Sequence, residues 1–130
     1  MEEIKVGEYV RTRGIIGKLI RIEFDKIDTS LKWYVFNDNK NERYVNKPYI
    51  TKHSKNIIDL IECGDYVNGE LVTGIYDIVN NNYESVGKKI TTKYRTAQFT
   101  GLDINYYIYA EDIKRILTKE QFEQNCYKLD

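Results

Sequence analysis

A short segment that occurs twice constrains the fold of this chain more than any other sequence feature. Residues 6–10 read VGEYV and residues 63–67 read CGDYV, an offset of 57 residues from Gly7 to Gly64. Further pairs match at the same offset: Glu8 with Asp65, Tyr9 with Tyr66, Val10 with Val67, and Gly17 with Gly74. Because repeated glycines mark backbone positions that need positive φ or a bulge, the repeat predicts two similar structural units, residues 1–61 and 62–130.

Both halves alternate apolar and polar residues in the way typical of short β-strands. Strands are predicted at 9–12, 15–24, 31–36, 71–79, 83–86, 89–99 and 106–109, with turns at 37–41 and 80–82. Each half ends near a hydroxyl residue that can cap a helix, Ser54 or Thr118, and Thr118 forms a capping box with Gln121. Residues 110–117 fit either a strand end or a helix. We therefore expect a mainly β protein of two tandem small β-barrel units, each ending in a short capped helix.

Charge and composition restrict the classes of function. The 130 residues carry 20 Lys and Arg against 20 Asp and Glu, a balance that argues against coating nucleic acid by bulk electrostatics. The longest apolar runs, such as 33–36 and 106–110, are far shorter than a membrane span, and the acidic N-terminus has no apolar segment typical of secretion signals. These features predict a soluble, cytoplasmic protein.

Cysteine and histidine, the usual ligands of structural zinc, are scarce in this chain. Cys63, Cys126 and His53 are too few for a structural zinc site, and the cysteines are expected to be small buried apolar residues. His53 is expected to be a solvated loop residue. No Gly-rich phosphate loop, HExxH motif or nucleophile elbow occurs. The sequence therefore predicts a protein that is not an enzyme and has no metal or cofactor.

Runs of aromatic residues predict a partner-binding surface. The chain has twelve tyrosines, and consecutive rings on a strand place aromatic side chains on both of its faces. The predicted partner-binding residues are Trp33, Tyr34, Phe36, Tyr106, Tyr107 and Tyr109. The alternative interpretation of each ring is packing in the core, where aromatic residues dominate small β proteins.

Two basic stretches without acidic residues allow a second interpretation, a small nucleic-acid-binding module. The candidate residues are Arg11, Arg13, Lys18, Arg21, Lys88, Lys89, Lys93 and Arg95. Proteins that bind single-stranded nucleic acid use lysine and arginine to contact the phosphates and nearby aromatic rings to stack on the bases. Solvated strand faces, with lysines protecting a sheet edge, are the simpler explanation of the same pattern.

Residues 6–12 followed by 14–22 resemble the opening of SH3-like and KOW-like barrels, where a Gly-acid-x-Val strand leads into a tight loop and a long glycine-containing strand. The whole chain, notably residues 52–61 and 118–124, is similar to small proteins carried by phages and prophages of low-GC Gram-positive bacteria. This resemblance implies an accessory protein that binds a host protein, with anti-CRISPR-like inhibition of a nucleic-acid-guided defence complex as one form. Self-association is a further alternative. SH3-like barrels bind RNA, DNA or peptides, so the fold alone does not select a function.

Overall fold

The protein is built mainly from antiparallel β-strands, which confirms the predicted mainly β class. The computed structural model describes residues 3–39, 41–94 and 104–125. The chain divides into two compact units, unit 1 from Met1 to Leu60 and unit 2 from Ile61 to Asp130. Each unit contains one five-stranded sheet, and in the described residues both sheets are open rather than closed into barrels.

Unit 1 has five strands and two 3₁₀ helices among its described residues. They are β1 (Tyr9–Arg11), β2 (Ile16–Phe24), β3 (Lys32–Asp38), β4 (Asn41–Val45), η1 (Lys47–Tyr49), β5 (Lys52–Ser54) and η2 (Ile57–Leu60). The spatial order of the strands is β4-β3-β2-β1-β5, and all neighbours are antiparallel. The first strand therefore joins the second and the last, with η1 connecting β4 to β5.

Unit 2 repeats this arrangement strand for strand. Its elements are β6 (Tyr66–Val67), β7 (Glu70–Val79), β8 (Ser85–Tyr94), β9 (Ile104–Tyr109), η3 (Ala110–Asp112), β10 (Ile116–Leu117) and α1 (Lys119–Asn125). The order is β10-β6-β7-β8-β9, so the first strand of the unit again lies between its second and its fifth strand, and the third between the second and the fourth. A 3₁₀ helix again separates the fourth strand from the fifth. The duplication thus extends to topology.

The core of each unit lies on one face of its sheet. In unit 1 the buried cluster consists of Ile4, Val10, Leu19, Tyr34, Phe36 and Ile50. In unit 2 the buried apolar strand residues include Val67, Val72, Ile90 and Ile108. Because side chains alternate along a strand, the residues between these point to the opposite face, which we call the outer face.

The repeated opening segment forms the same turn in both units. Gly7 and Gly64 have φ of +96° and +98°, a backbone conformation that favours glycine. Their amides donate to the carbonyls of Leu19 and Val72 at 2.9 and 3.0 Å. The matching glycines of the sequence repeat therefore occupy one specialised position in each unit.

The prediction that equivalent residues of the two units stay 57 positions apart beyond this turn is wrong, because the loop after the first strand is four residues shorter in unit 2. Gly17 pairs with Val10, whereas Glu70 pairs with the equivalent Val67, so Gly17 corresponds to Glu70 and not to Gly74. The register of each sheet is set by its hydrogen bonds, and it shifts between Leu19 and Arg21 in β2 and between Val72 and Gly74 in β7. The β-bulges are thus equivalent at an offset of 53 residues from Leu19 to Val72.

The ends of the units differ from the sequence prediction. The expected capping box is confirmed at α1, where Thr118 Oγ1 accepts from the amide of Gln121 at 3.2 Å and Gln121 Oε1 accepts from the amide of Thr118 at 3.0 Å. Unit 1 instead ends in the 3₁₀ helix η2, and Ser54 is the last residue of β5. Within the described ranges, no helix combines the length and apolarity needed to cross a membrane.

Strand limits also differ. Residues 85–94 form one strand instead of two, and β4 is absent from the predicted strands, because its residues are mostly exposed and lack the apolar alternation of a half-buried strand. Segment 110–117 contains η3 and then β10. Predicted strand residues 95–99 lie outside the described part of the chain.

Candidate functional site

The outer face of unit 1 carries the sole tryptophan of the chain. We call this surface the Trp33 face and define it by Arg21, Glu23, Trp33, Val35, Glu42 and Tyr44. Arg21 pairs with Val35 and Val35 with Tyr44 across β2, β3 and β4, while Glu23 pairs with Trp33 in the next row. Val35 is fully buried although it faces outward, so it forms the floor under the longer side chains. Tyr44 remains 49% exposed.

Arg21 is the organising cation of the Trp33 face. Its Nη1 and Nη2 donate to the two carboxylate oxygens of Glu42 at 3.0 and 2.8 Å, and its Nε donates to Glu23. Nη2 also donates to the hydroxyl of Tyr44 at 2.9 Å, and the guanidinium carbon lies 5.9 Å from the centre of that ring. The hydrogen bonds that Arg21 donates to Glu42 and Glu23 raise the pKa of Arg21, and they lower the pKa of Glu42. Arg21 therefore holds Tyr44 in a fixed, exposed position.

The outer face of unit 2 is built from tyrosines around a lysine. We call it the Tyr107 face and define it by Gly74, Tyr76, Lys89, Thr91, Tyr107 and Tyr109. Register places Tyr76, Lys89 and Tyr109 in one row and Gly74, Thr91 and Tyr107 in the next. Thr91 is buried beneath the rings, and Tyr107 is 53% exposed. The ammonium of Lys89 lies 4.3 Å from the centre of the Tyr107 ring, within the range of a cation–π interaction.

The two faces share one element at the same position of the fold. Tyr44 pairs with Val35 in unit 1, and Tyr107 pairs with the equivalent Thr91 in unit 2. Both tyrosines lie on the fourth strand, both are about half exposed, and a cation lies against each ring. The cation comes from the second strand in unit 1 (β2) and from the third strand in unit 2 (β8). The two units therefore place a cation against this tyrosine from different sequence positions.

The predicted aromatic surface is divided between the two sheet faces. Trp33 is partly buried on the outer face, and Tyr107 and Tyr109 are exposed. The prediction that Tyr34 and Phe36 belong to the partner surface is wrong, because they are 7% and 1% exposed and pack in the core of unit 1. The physical reason is the period of two: Trp33 and Val35 face outward, so their neighbours face the core. The side chain of Tyr106 lies outside the described part.

The first predicted basic stretch does not form a continuous cationic surface. Arg11 is 1% exposed, and its Nη1 donates to the carbonyl of Leu60 at 2.9 Å, so its assignment to a nucleic-acid surface is corrected. Arg21 is held by two carboxylates. Arg13 and Lys18 are exposed.

The second basic stretch is described only in part. Lys88 and Lys89 are neighbours on β8, and Lys89 contacts the Tyr107 ring. Arg95 and the side chain of Lys93 lie outside the described residues. The predicted basic residues that are described are thus distributed over different environments.

His53 is not a solvated loop residue, which corrects the sequence interpretation. It lies in β5 with its side chain only 10% exposed, and its Nδ1 is 3.0 Å from Oε2 of Glu8. Oε1 of Glu8 accepts from the amide of Lys5 at 2.7 Å. Burial alone would raise the pKa of Glu8, but the hydrogen bonds from His53 and Lys5 and the charges of both lower it overall. Glu8 thus joins the opening turn to the last strand of the sheet.

This geometry predicts that unit 1 loses stability in acid through Glu8. A carboxylate whose pKa is lower in the folded than in the unfolded state stabilises the fold above its ordinary pKa of 4.5, and this contribution is lost as pH falls through the lowered value. Urea midpoints between pH about 6 and about 3, followed by Trp33 fluorescence, should fall more steeply for the wild type than for Glu8→Gln. Glu111→Gln, at an exposed site in unit 2, is the control. Equal slopes for the wild type and Glu8→Gln would contradict the prediction.

Cys63 also differs from expectation, because it is an exposed free cysteine rather than a buried apolar residue, and Cys126 lies outside the described residues. Among the described residues, no group of three or more His, Cys, Asp or Glu side chains is arranged to hold a metal ion.

Sequence reasoning misses several residues that form the outer faces or bond to them. Tyr44 and Tyr76 are not among the predicted residues, nor is Asp25, whose Oδ2 accepts from the indole Nε1 of Trp33 at 3.0 Å. Tyr44 could be found once β4 is known to pair with β3, because direct cross-strand partners share a face.

Comparison of the chain with protein-family models, with curated proteins and with solved structures found no match.

Proposed function

We propose that this chain is a non-enzymatic, phage-encoded accessory protein that binds a host protein in the bacterial cytoplasm through the Trp33 face and the Tyr107 face. The observation that carries the proposal is the pair of half-exposed tyrosines, Tyr44 and Tyr107, held by cations at the same position of two sheets. Rigid, exposed aromatic rings lose little side-chain entropy on association, and they dominate the binding energy of protein interfaces. Inhibition of a host defence complex, as in anti-CRISPR proteins, is the form of this role that the sequence resemblance favours.

We also propose that both units are SH3-like. The support is the strand order, in which the first strand lies between the second and the fifth, together with a 3₁₀ helix between the fourth and fifth strands of each unit. The outer face of each sheet carries a half-exposed tyrosine, Tyr44 or Tyr107. Since SH3-like folds serve many functions, the topology supports the placement of a surface and does not choose its partner.

The host-protein proposal predicts that Trp33→Ala and Tyr107→Ala each weaken capture of the partner at least about tenfold, because truncation of a central aromatic residue typically costs about 2 kcal/mol or more. The immobilised chain and its variants would be incubated with lysate of a low-GC Gram-positive host, and captured proteins quantified by mass spectrometry. Tyr83→Ala is the matched control, because Tyr83 is 92% exposed in the β7–β8 turn and is not among the residues of either face. Capture that is equal for all variants would refute the proposal.

Thermal melting of the same variants separates an effect on binding from an effect on stability. Tyr107→Ala should leave the melting temperature nearly unchanged, because its ring is half exposed. A strong decrease, corresponding to about 3–5 kcal/mol, would instead assign the ring a structural role.

A nucleic-acid-binding module is the second candidate, favoured by the contact between Lys89 and Tyr107, since a lysine beside an exposed ring can serve a phosphate and a base. Phosphate-driven binding of a labelled single strand should fall steeply as salt rises. Absence of binding at low salt would exclude this candidate, whereas salt-sensitive binding that Lys89→Gln weakens would favour it over the host-protein proposal.

A further inference from the structure

A recess of about 420 Å³ opens at one end of the Trp33 face. Trp33 lies at the start of β3, and the loop from β2 to β3 contributes the opposite wall. The lining residues are Glu23, Phe24, Asp25, Lys26, Ile27, Trp33 and Tyr44. Phe24 and Ile27 are 61% and 97% exposed, so two large apolar side chains of the rim are open to solvent. We call this site the Trp33 recess.

Asp25 holds the Trp33 recess in shape. Its Oδ1 accepts from the amides of Ile27 and Asp28 at 2.9 and 3.0 Å, which closes the loop. Its Oδ2 accepts from Nε1 of Trp33 at 3.0 Å, which fixes the orientation of the indole. The amide of Asp25 donates to the carbonyl of Leu31 at 2.9 Å across the base of the loop. The wall of the recess is therefore organised before any partner arrives.

Asp25 brings a negative charge to the Trp33 recess without an ion pair of its own among the described residues, and Lys26 of the same loop also lines the recess. Glu23 is paired with Arg21, but all the donors to Asp25 are neutral N–H groups, and no ion pair to Asp25 occurs within the described residues. The backbone amide of Asp28, the indole of Trp33 and the amide of Ile27 lower the pKa of Asp25, so it is ionised at neutral pH. A partner group with a positive charge would complete this arrangement.

The rings of the recess point to the same chemistry. Arg21 lies against Tyr44, and the ammonium of Lys32 lies 5.7 Å from the centre of the Phe24 ring. Among the described residues, no cation occupies the ring of Trp33. Tryptophan is the aromatic side chain that attracts cations most strongly, and a carboxylate bonded to its Nε1–H makes the ring more electron-rich. The Trp33 ring lines the recess and has no cation from the described part of the chain against it.

We propose that the Trp33 recess binds an arginine side chain of the partner protein, with the guanidinium stacked on Trp33 beside Asp25. The planar guanidinium can stack on an indole and donate to a carboxylate at the same time, which a lysine ammonium does less well. The aliphatic stem would lie on the exposed apolar side chains of Phe24 and Ile27. This inference rests on the proposed protein-binding function and identifies the chemistry of the partner at one of its two faces.

The test uses Trp33 itself as the probe, because it is the sole tryptophan of the chain. N-acetyl-arginine methylamide would be titrated against the full chain at low ionic strength, with Trp33 fluorescence and the NMR shift of its Nε1–H as readouts. N-acetyl-citrulline methylamide, which has nearly the same shape without the charge, is the matched ligand. We expect saturable binding of the arginine probe and binding at least about tenfold weaker for citrulline. Equal responses, or no response to arginine, would overturn the inference.

Two variants show whether Asp25 supplies the selectivity. Asp25→Asn should reduce the preference for arginine over citrulline several-fold. Asp28→Asn removes the same charge from the same loop, where Asp28 bonds to Ser30 and does not line the recess, so it should retain the preference. Loss of the preference in both variants would refute the role of Asp25. If Asp25→Asn proves unstable in a melting experiment, the arginine and citrulline titrations of the wild type decide the inference alone.

The capture experiment keeps this inference separate from the proposed function. Host-protein capture that requires Trp33 and Tyr107, with no arginine preference at the recess, would refute only the arginine site. Equal capture by all variants would refute the proposed function, even if free arginine binds.

Discussion

Replacement of Gly17 by alanine is expected to destabilise unit 1 by at least about 3 kcal/mol, more than ordinary overpacking of a core. A Cβ on Gly17 would lie deep inside van der Waals contact of the carbonyl oxygen of Asn37 and of Cδ2 of Phe36. A backbone oxygen cannot move away as a side chain can, so β2 and β3 would have to separate locally. Urea denaturation followed by Trp33 fluorescence measures this cost.

Gly7→Ala is the matched control for this prediction. Gly7 has φ of +96°, and a methyl group attached to its Cα would meet nothing within 4 Å, so alanine there causes conformational strain without overlap. Its expected cost is about 1 kcal/mol. A Gly17→Ala variant no less stable than Gly7→Ala would show that the sheet accommodates the methyl group.

Asp65→Ala is expected to destabilise unit 2 by about 3 kcal/mol, because it removes a buried acceptor of two hydrogen bonds. Asp65 is fully buried, its Oδ2 accepts from the amide of Glu62 at 2.8 Å, and its Oδ1 accepts from the amide of Lys119 at 2.9 Å. Alanine leaves both donors without this acceptor and removes a carboxylate from the N-terminus of α1. Circular dichroism in urea gives the stability change, and hydrogen exchange at the amides of Glu62 and Lys119 shows where protection is lost.

Glu62→Gln provides the control for Asp65. It breaks the ion pair between Glu62 and Lys119, which are 2.8 Å apart and partly exposed, and leaves the buried carboxylate intact. Such a surface pair contributes at most about 1 kcal/mol. If Glu62→Gln costs as much as Asp65→Ala, the ion pair rather than the double hydrogen bond holds the end of the unit.

Glu8 and Asp65 also show how far sequence reasoning reaches. Their match is visible within the repeat, and in both units the carboxylate accepts from the amide three residues earlier. The second oxygen, however, contacts His53 in unit 1 and the start of α1 in unit 2. The local turn is predictable because all its atoms lie within a few residues, whereas its distant partner depends on where the last strand returns.

The candidate surfaces, too, are predictable from the sequence only in part. Aromatic density draws attention to Trp33 and Tyr107, but it cannot separate them from Phe36, because alternation shows that a strand has two faces without showing which face is covered. Arg11 and Arg21 look alike in sequence; one is buried against a carbonyl, and the other is held on the surface by two carboxylates. Because β4 is not among the predicted strands, sequence reasoning also does not identify Tyr44 as a residue of this surface.

The amino-acid sequence by itself determined the mainly β class, the repeated opening turn at Gly7 and Gly64, and the capping box of α1, since these follow from contacts between near neighbours. Only the tertiary structure decided the register after the shortened loop, the outward position of Trp33, and the bond from its indole to Asp25. The reason is that strand pairing joins residues whose separation along the chain depends on loop lengths, and one residue of difference in register exchanges the buried and exposed faces.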